Sequence, residues 1–156
     1  MLDSLLDQAR ARLADVPREV LGQWHTPKKI LGVARAERII RVGDAWHVGA
    51  LLIDDTAVYS VGEIIRAQDP GRRGYTAESQ RERAAVRAAA LLGGIDEGTV
   101  VHLGWERLDL AALTAGREAG PLSMAGDVPM IRWSAAGSPI PLEGYLAERV
   151  DLLLGQ

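Results

Sequence analysis

The chain has 156 residues, 47% hydrophobic and 25% charged, and contains no cysteine. A chain of this length buries roughly 70% of its unfolded surface, so one globular domain over 1–156 is expected, with no need of disulfide or metal staples. The lack of cysteine excludes a disulfide framework, a thiol nucleophile, an iron–sulfur cluster and any cysteine zinc site. The formal net charge of −3 argues against general nucleic-acid binding, because domains that bind nucleic acid carry a strongly basic surface.

The charge is unevenly distributed. Residues 1–65 hold nine acidic and eight basic side chains, 66–87 three acidic and six basic, and 88–156 nine acidic and four basic. The middle segment is therefore basic within an acidic protein. Lys28 and Lys29 are the sole lysines, and Phe and Asn are absent. Such a bias reads as GC-rich coding, so arginine content alone says little about anion recognition. No stretch approaches the roughly 18 uncharged apolar residues of a membrane span, and the N-terminus carries acids where a signal peptide needs bases. The expectation is a cytoplasmic protein with no membrane partner.

Leu2, Leu5, Leu6, Ala9 and Leu13 share one helical face, with Asp3 and Asp7 early and Arg10 and Arg12 late, which suits the helix dipole. Val16-Pro17 ends that helix. Gly22 to Gly32 follows neither period and reads as an ordered loop. Ile39–Val42, Gly43-Asp44 and Ala45–Ile53 read as a hairpin, since Gly-Asp is a two-residue turn signal. Asp54-Asp55-Thr56 then turns into Val58–Ile65, completing an antiparallel meander over 39–65.

Gln68 to Tyr75 is a Gly/Pro/Arg loop, after which Thr76 caps a helix running to about Leu92, stopped by Gly93-Gly94. Ala85, Val86, Ala88, Ala89 and Leu92 are its expected core side. Thr99–Arg107 reads as a strand with Val101, Leu103 and Trp105 on one face and His102, Gly104 and Glu106 on the other. Asp109 caps a short helix through Ala115. Leu122–Met124 and Met130–Ser134 flank a turn at Ala125-Gly126-Asp127, with Pro129 limiting one strand to an edge or a late start. Leu142, Leu146, Val150 and Leu153 stripe a last helix that Gly155 stops. The order predicts an α+β fold: a mainly antiparallel sheet with helices chiefly on one face.

Three constellations bear on function. The loop containing Arg72, Arg73, Gly74, Tyr75 and Thr76 sets two guanidiniums and free N–H groups beside a helix N-terminus, a combination that suits an anion. It lacks the spacing of a phosphate-binding P-loop. His47 and His102 each stand in a His-x-Gly on a strand, and with Glu63 or Glu106 they could run acid–base chemistry. A three-residue turn over Asp54–Thr56 sets His47 against Glu63, whereas a two-residue turn at Asp55-Thr56 sets Val48 there. No metal-binding spacing supports a metal site, and no metal or other cofactor is expected. Third, Trp24-His25-Thr26-Pro27-Lys28-Lys29 joins an aromatic face to two ammonium groups, as a nucleotide or peptide groove does. Trp24 and Trp133 are read as lids over the core.

The segments Ala45-Trp46-His47-Val48-Gly49, Gly74-Tyr75-Thr76-Ala77-Glu78-Ser79-Gln80-Arg81, Ile131-Arg132-Trp133-Ser134 and Pro141-Leu142-Glu143-Gly144-Tyr145-Leu146 resemble a family of short uncharacterised proteins from high-GC bacteria. Some members carry a glutaminase label. Serine-dependent glutaminase chemistry uses an S-x-x-K pair, but His25 and Thr26 stand three residues before Lys28 and Lys29, and a cysteine-type amidotransferase needs a thiol. The sequence thus favours a binding or interaction domain that takes a small anionic ligand or an acidic protein segment at Arg72–Thr76. A homodimer stays open, as does the alternative of a small hydrolase or acid–base enzyme using the strand histidines.

Overall fold

A computed structural model describes residues 1–69, 71 and 77–155. In chain order it contains α1 (Leu2–Arg12), β1 (Glu19–His25), β2 (Arg38–Val48), β3 (Leu51–Ile53), β4 (Val58–Ser60), β5 (Glu63–Arg66), α2 (Glu78–Leu92), β6 (Val100–Leu103), β7 (Glu106–Arg107), α3 (Ala111–Thr114), β8 (Leu122–Ala125), β9 (Val128–Ile131), β10 (Ile140–Pro141) and α4 (Leu142–Leu154). The fold is α+β. Ladders β2–β3, β3–β4, β4–β7, β5–β6, β8–β9 and β9–β10 are antiparallel, and β1–β6 is parallel. Among the described residues no helix is long and apolar enough to cross a membrane. The backbone groups into two compact units, 1–18 with 45–61 and 106–156, and 19–44 with 62–105.

In the first unit, Leu5, Leu6, Ala9 and Leu13 place one stripe of α1 in a core shared with Leu142, Leu146 and Val150. Each fully buried Leu contributes about 1.5–3 kcal/mol. Trp46 Nε1 donates to the Val16 carbonyl at 2.9 Å, and the Arg18 guanidinium lies 4.1 Å from the centre of the Trp46 ring. These contacts fix the chain just after α1.

The meander takes different turns from those expected. Gly43-Asp44 lies inside the continuous strand β2, and the chain reverses instead at Gly49-Ala50, with Trp46 opposite Ile53 and Val48 opposite Leu51. That register places Trp46, Val48, Leu51 and Ile53 together in the core, and burial outweighs a local turn signal. Gly49 takes φ +61°, and a Cβ there would collide with the Tyr145 hydroxyl. The next turn adopts the Asp55-Thr56 register, pairing Leu51 with Ser60 and Ile53 with Val58. The expected strand Val58–Ile65 is broken at Gly62, where a Cβ would strike the Leu103 carbonyl oxygen. Thr99–Arg107 likewise divides into β6 and β7.

Several C-terminal expectations hold. The Asp109 carboxylate accepts the Ala111 N–H at 3.2 Å just before α3, although Leu110 and not Asp109 holds the N-cap position. Strands β8 and β9 turn at Gly126-Asp127, and Gly155 ends α4 in the left-handed conformation. Pro129, however, belongs to the central strand of the order β10–β9–β8. Strand β10 pairs only with Met130 and Ile131, so Pro129 lies past the end of that ladder. Leu153 is 40% exposed, and Tyr145 takes a buried place on the core face of α4.

In the second unit the strand order is β5–β6–β1–β2. Segment 19–25, which overlaps the expected loop, is the strand β1, with Val20 beside Val101 and Leu21 beside His102. The usual alternation is hidden at Gly22, whose missing side chain makes room for Val101, Ile39 and Leu103. Trp105 Nε1 fixes this strand by donating to the Gly22 carbonyl at 2.9 Å. One face of the sheet carries Ile39, Ile65, Val101 and Leu103 against Ala89 and Ala90 of α2.

The helical phase of α2 differs from the expected one. Ala84, Ala89 and Ala90 are buried, while Ala85 and Leu92 are exposed. Ala77 holds its N-cap position, and the expected cap Thr76 lies outside the described residues. Trp24 and Trp133 are 46% and 53% exposed. Neither is the core lid that its setting suggested.

Candidate functional site

The strand histidines do not assemble a catalytic pair with the expected carboxylates. In the second unit His102 is fully buried on β6, with Nε2 3.4 Å from Glu19 Oε1. Glu63 is opposite Leu103, whereas Ile64 is opposite His102. Paired residues share a face and neighbours alternate, so Glu63 leaves the sheet on the other side from His102. In the first unit the His47 ring donates through Nε2 to the Gly49 carbonyl at 2.8 Å, serving the turn. Glu106 stands exposed on β7, opposite Ser60. His102 and Glu19 form a carboxylate-oriented imidazole, but a ring with no exposed surface offers a substrate no proton to take or receive.

The expected ligand loop, Arg72, Arg73, Gly74, Tyr75 and Thr76, lies outside the described residues. Basic residues on either side of it do converge. Arg66 on β5 and Arg83 and Arg87 on α2 line an open groove of about 380 Å³, with Ile64 and Ile65 among its apolar lining and Glu63 and Gln68 among its polar groups. The spacing of Arg83 and Arg87 puts them one turn apart on the same face of α2. Strand β5 ends the strand order of its sheet, so its outer edge is open to the groove.

Hydrogen bonds set two of these arginines. Arg66 Nη1 donates to the Gly98 carbonyl at 3.0 Å, and Arg87 Nη1 donates to Gln68 Oε1 at 3.4 Å. The Gln68 N–H donates in turn to the Arg87 carbonyl at 3.4 Å, tying the end of the strand to the helix. Among the described residues none of Arg66, Arg83 and Arg87 meets a carboxylate. Elsewhere Arg10, Arg12, Arg18 and Arg41 pair with Asp7, Asp151, Asp55 and Asp44. The groove thus gathers three guanidiniums against the one carboxylate, Glu63, among the described residues that line it.

Arg66, Arg83 and Arg87 were not singled out by sequence motif. The available signal was the basic balance of 66–87, which marks the segment but not the side chains that share a wall. The chain matches no protein-family model, no curated protein and no solved structure.

Proposed function

We propose that this protein is a cytoplasmic, non-catalytic binding domain for a small polyanion of the phosphate or polycarboxylate class, held by Arg66, Arg83 and Arg87. The observation that carries this reading is the concentration of three guanidiniums in one groove, none of them in an ion pair with a described residue, whereas Arg10, Arg12, Arg18 and Arg41 pair with aspartates. Planar guanidiniums donate in pairs to phosphate and carboxylate oxygens, and such charge-assisted bonds are roughly twice as strong as neutral ones. The buried state of His102 favours binding over acid–base catalysis.

The test is calorimetric titration of the full chain with inorganic pyrophosphate and with citrate at low salt. At least one should bind, and Arg83→Ala/Arg87→Ala should weaken it by about tenfold or more while the fold is retained. A wild-type protein that binds neither, or a double variant that binds equally well, overturns the assignment.

A further inference from the structure

Between β1 and β2 the chain makes a second, smaller reversal whose chemistry the groove does not use. The Ile30 N–H donates to the Val33 carbonyl at 3.3 Å and the Val33 N–H to the Ile30 carbonyl at 2.9 Å, closing a two-residue turn at Leu31-Gly32. Leu31 has φ +52° and Gly32 φ +77°. Positive φ at both central positions is the type I′ pattern, which favours Asn-Gly or Gly-Gly, and a leucine is disfavoured in that region by its own Cβ. Leu31 is the one described non-glycine residue with positive φ.

No side-chain packing among the described residues repays that conformation. Leu31 is 98% exposed, and its neighbours Ile30 and Val33 are 57% and 66% exposed. The turn therefore presents three aliphatic side chains to solvent. Lys28 and Lys29 precede it and Arg35 follows it, all exposed and none in an ion pair with a described residue. Thr26 Oγ1 donates to Glu37 Oε1 at 3.2 Å and holds the two arms together below the tip.

We propose that this hairpin is a membrane-surface contact: Leu31, with Ile30 and Val33, enters the interface of an anionic bilayer while Lys28, Lys29 and Arg35 meet the lipid phosphates. An apolar tip flanked by cations on both arms matches the layering of that interface, acyl chains below and negative headgroups above. A side chain exposed as fully as Leu31 needs a medium that closes around it. A bilayer does so, whereas a protein receptor would have to supply a shaped pocket with an acidic rim. Contact at the surface requires no spanning helix, so the absence of one among the described residues is no obstacle.

The experiment is co-sedimentation of the full chain with vesicles of phosphatidylcholine alone and of phosphatidylcholine containing about one-third phosphatidylglycerol. The wild type should partition onto the anionic vesicles and much less onto the neutral ones. Leu31→Asp should lower that partition by about tenfold or more, and Lys28→Ala/Lys29→Ala should lower it and flatten its salt dependence. Arg83→Ala/Arg87→Ala, in the separate groove, should leave it unchanged. Unchanged thermal unfolding of Leu31→Asp certifies that its fold is intact, and Leu31→Asn, which suits the turn but is polar, should lose binding in the same way. Failure of the wild type to sediment with anionic vesicles overturns the proposal. Equal partition of the Leu31 variants reduces the effect to adsorption by charge and overturns it as well.

Discussion

The Tyr145 hydroxyl accepts a hydrogen bond from the Ala50 N–H at 2.9 Å, joining α4 to the turn between β2 and β3 across 95 positions of sequence. The same hydroxyl occupies the space that a side chain on Gly49 would need. Tyr145→Phe should cost about 1–2 kcal/mol by leaving the Ala50 donor without its partner. Gly49→Ala should cost more, since it adds a disfavoured φ to a collision. The collision is partly relieved once the hydroxyl is gone, so the double variant should be less destabilised than the two single losses added together. Urea unfolding of the three variants measures this coupling, and strict additivity would show that the two residues do not share the space.

A second cluster makes the stability of the first unit dependent on pH. Asp54 Oδ1 accepts the Thr56 and Ala57 N–H groups at 2.8 and 2.6 Å, and Oδ2 accepts the Tyr59 hydroxyl at 2.6 Å. Burial alone would raise the Asp54 pKa, but together these bonds outweigh it and hold the carboxyl below its ordinary value. Burial, with the Asp54 hydrogen bond and charge, pushes the Tyr59 phenol up to about 12, against a smaller opposing effect of Arg107.

The two shifts act at opposite ends of the pH scale. For Asp54, the stabilisation is present above the unfolded carboxyl pKa and is lost as pH falls through the depressed folded value. For Tyr59, it is present below the unfolded phenol pKa near 10 and is lost as pH rises towards 12. Tyr59→Phe should abolish the alkaline loss and weaken the acid one, as read from melting temperature against pH. An alkaline limb that persists in Tyr59→Phe would assign it to another group.

Local chemistry made parts of this fold legible. The apolar stripe of α1, the reversal at Gly126-Asp127 within the expected Ala125-Gly126-Asp127 turn, and the Gly155 stop each depend on residues within a few positions of one another, and each is found. Long-range pairing was not legible. Gly43-Asp44 carries a turn signal, yet the fold uses Gly49 because the core aligns Trp46 with Ile53. Strand β1 escapes notice because its partner β6 is parallel and some 80 positions away, and because Gly22 erases the alternation. The basic character of 66–87 was visible, but which arginines share a wall depends on how β5 meets α2.

The buried His102 offers a test of a structural role. Its ring is fully enclosed on β6 beside Glu19. His102→Ala should cost roughly 2–4 kcal/mol through the cavity and the lost polar contact. Binding of pyrophosphate at the groove should remain within twofold, about 0.4 kcal/mol, once the variant is folded. A variant of unchanged stability would contradict the packing assigned to the ring.

Glu63 gives the sharpest test of the groove, because it is the carboxylate among the described residues that line it with Arg66, Arg83 and Arg87. It is exposed on β5 and lies on the opposite face of the sheet from His102, so its replacement leaves the buried pair untouched. A negative charge several ångströms from a bound anion opposes binding by about 0.5–1 kcal/mol in a solvated groove. Glu63→Gln keeps the size of the side chain and removes the charge. It should tighten pyrophosphate binding by about threefold at low salt, and the gain should shrink as ionic strength rises and the charges are screened. Stability should stay within about 0.5 kcal/mol of wild type, as for most surface substitutions. Calorimetric titrations of wild type and Glu63→Gln at two salt concentrations check both effects. Weaker binding in Glu63→Gln would mean that the carboxylate positions the arginines instead of repelling the ligand, and an unchanged affinity would place the anion outside the groove.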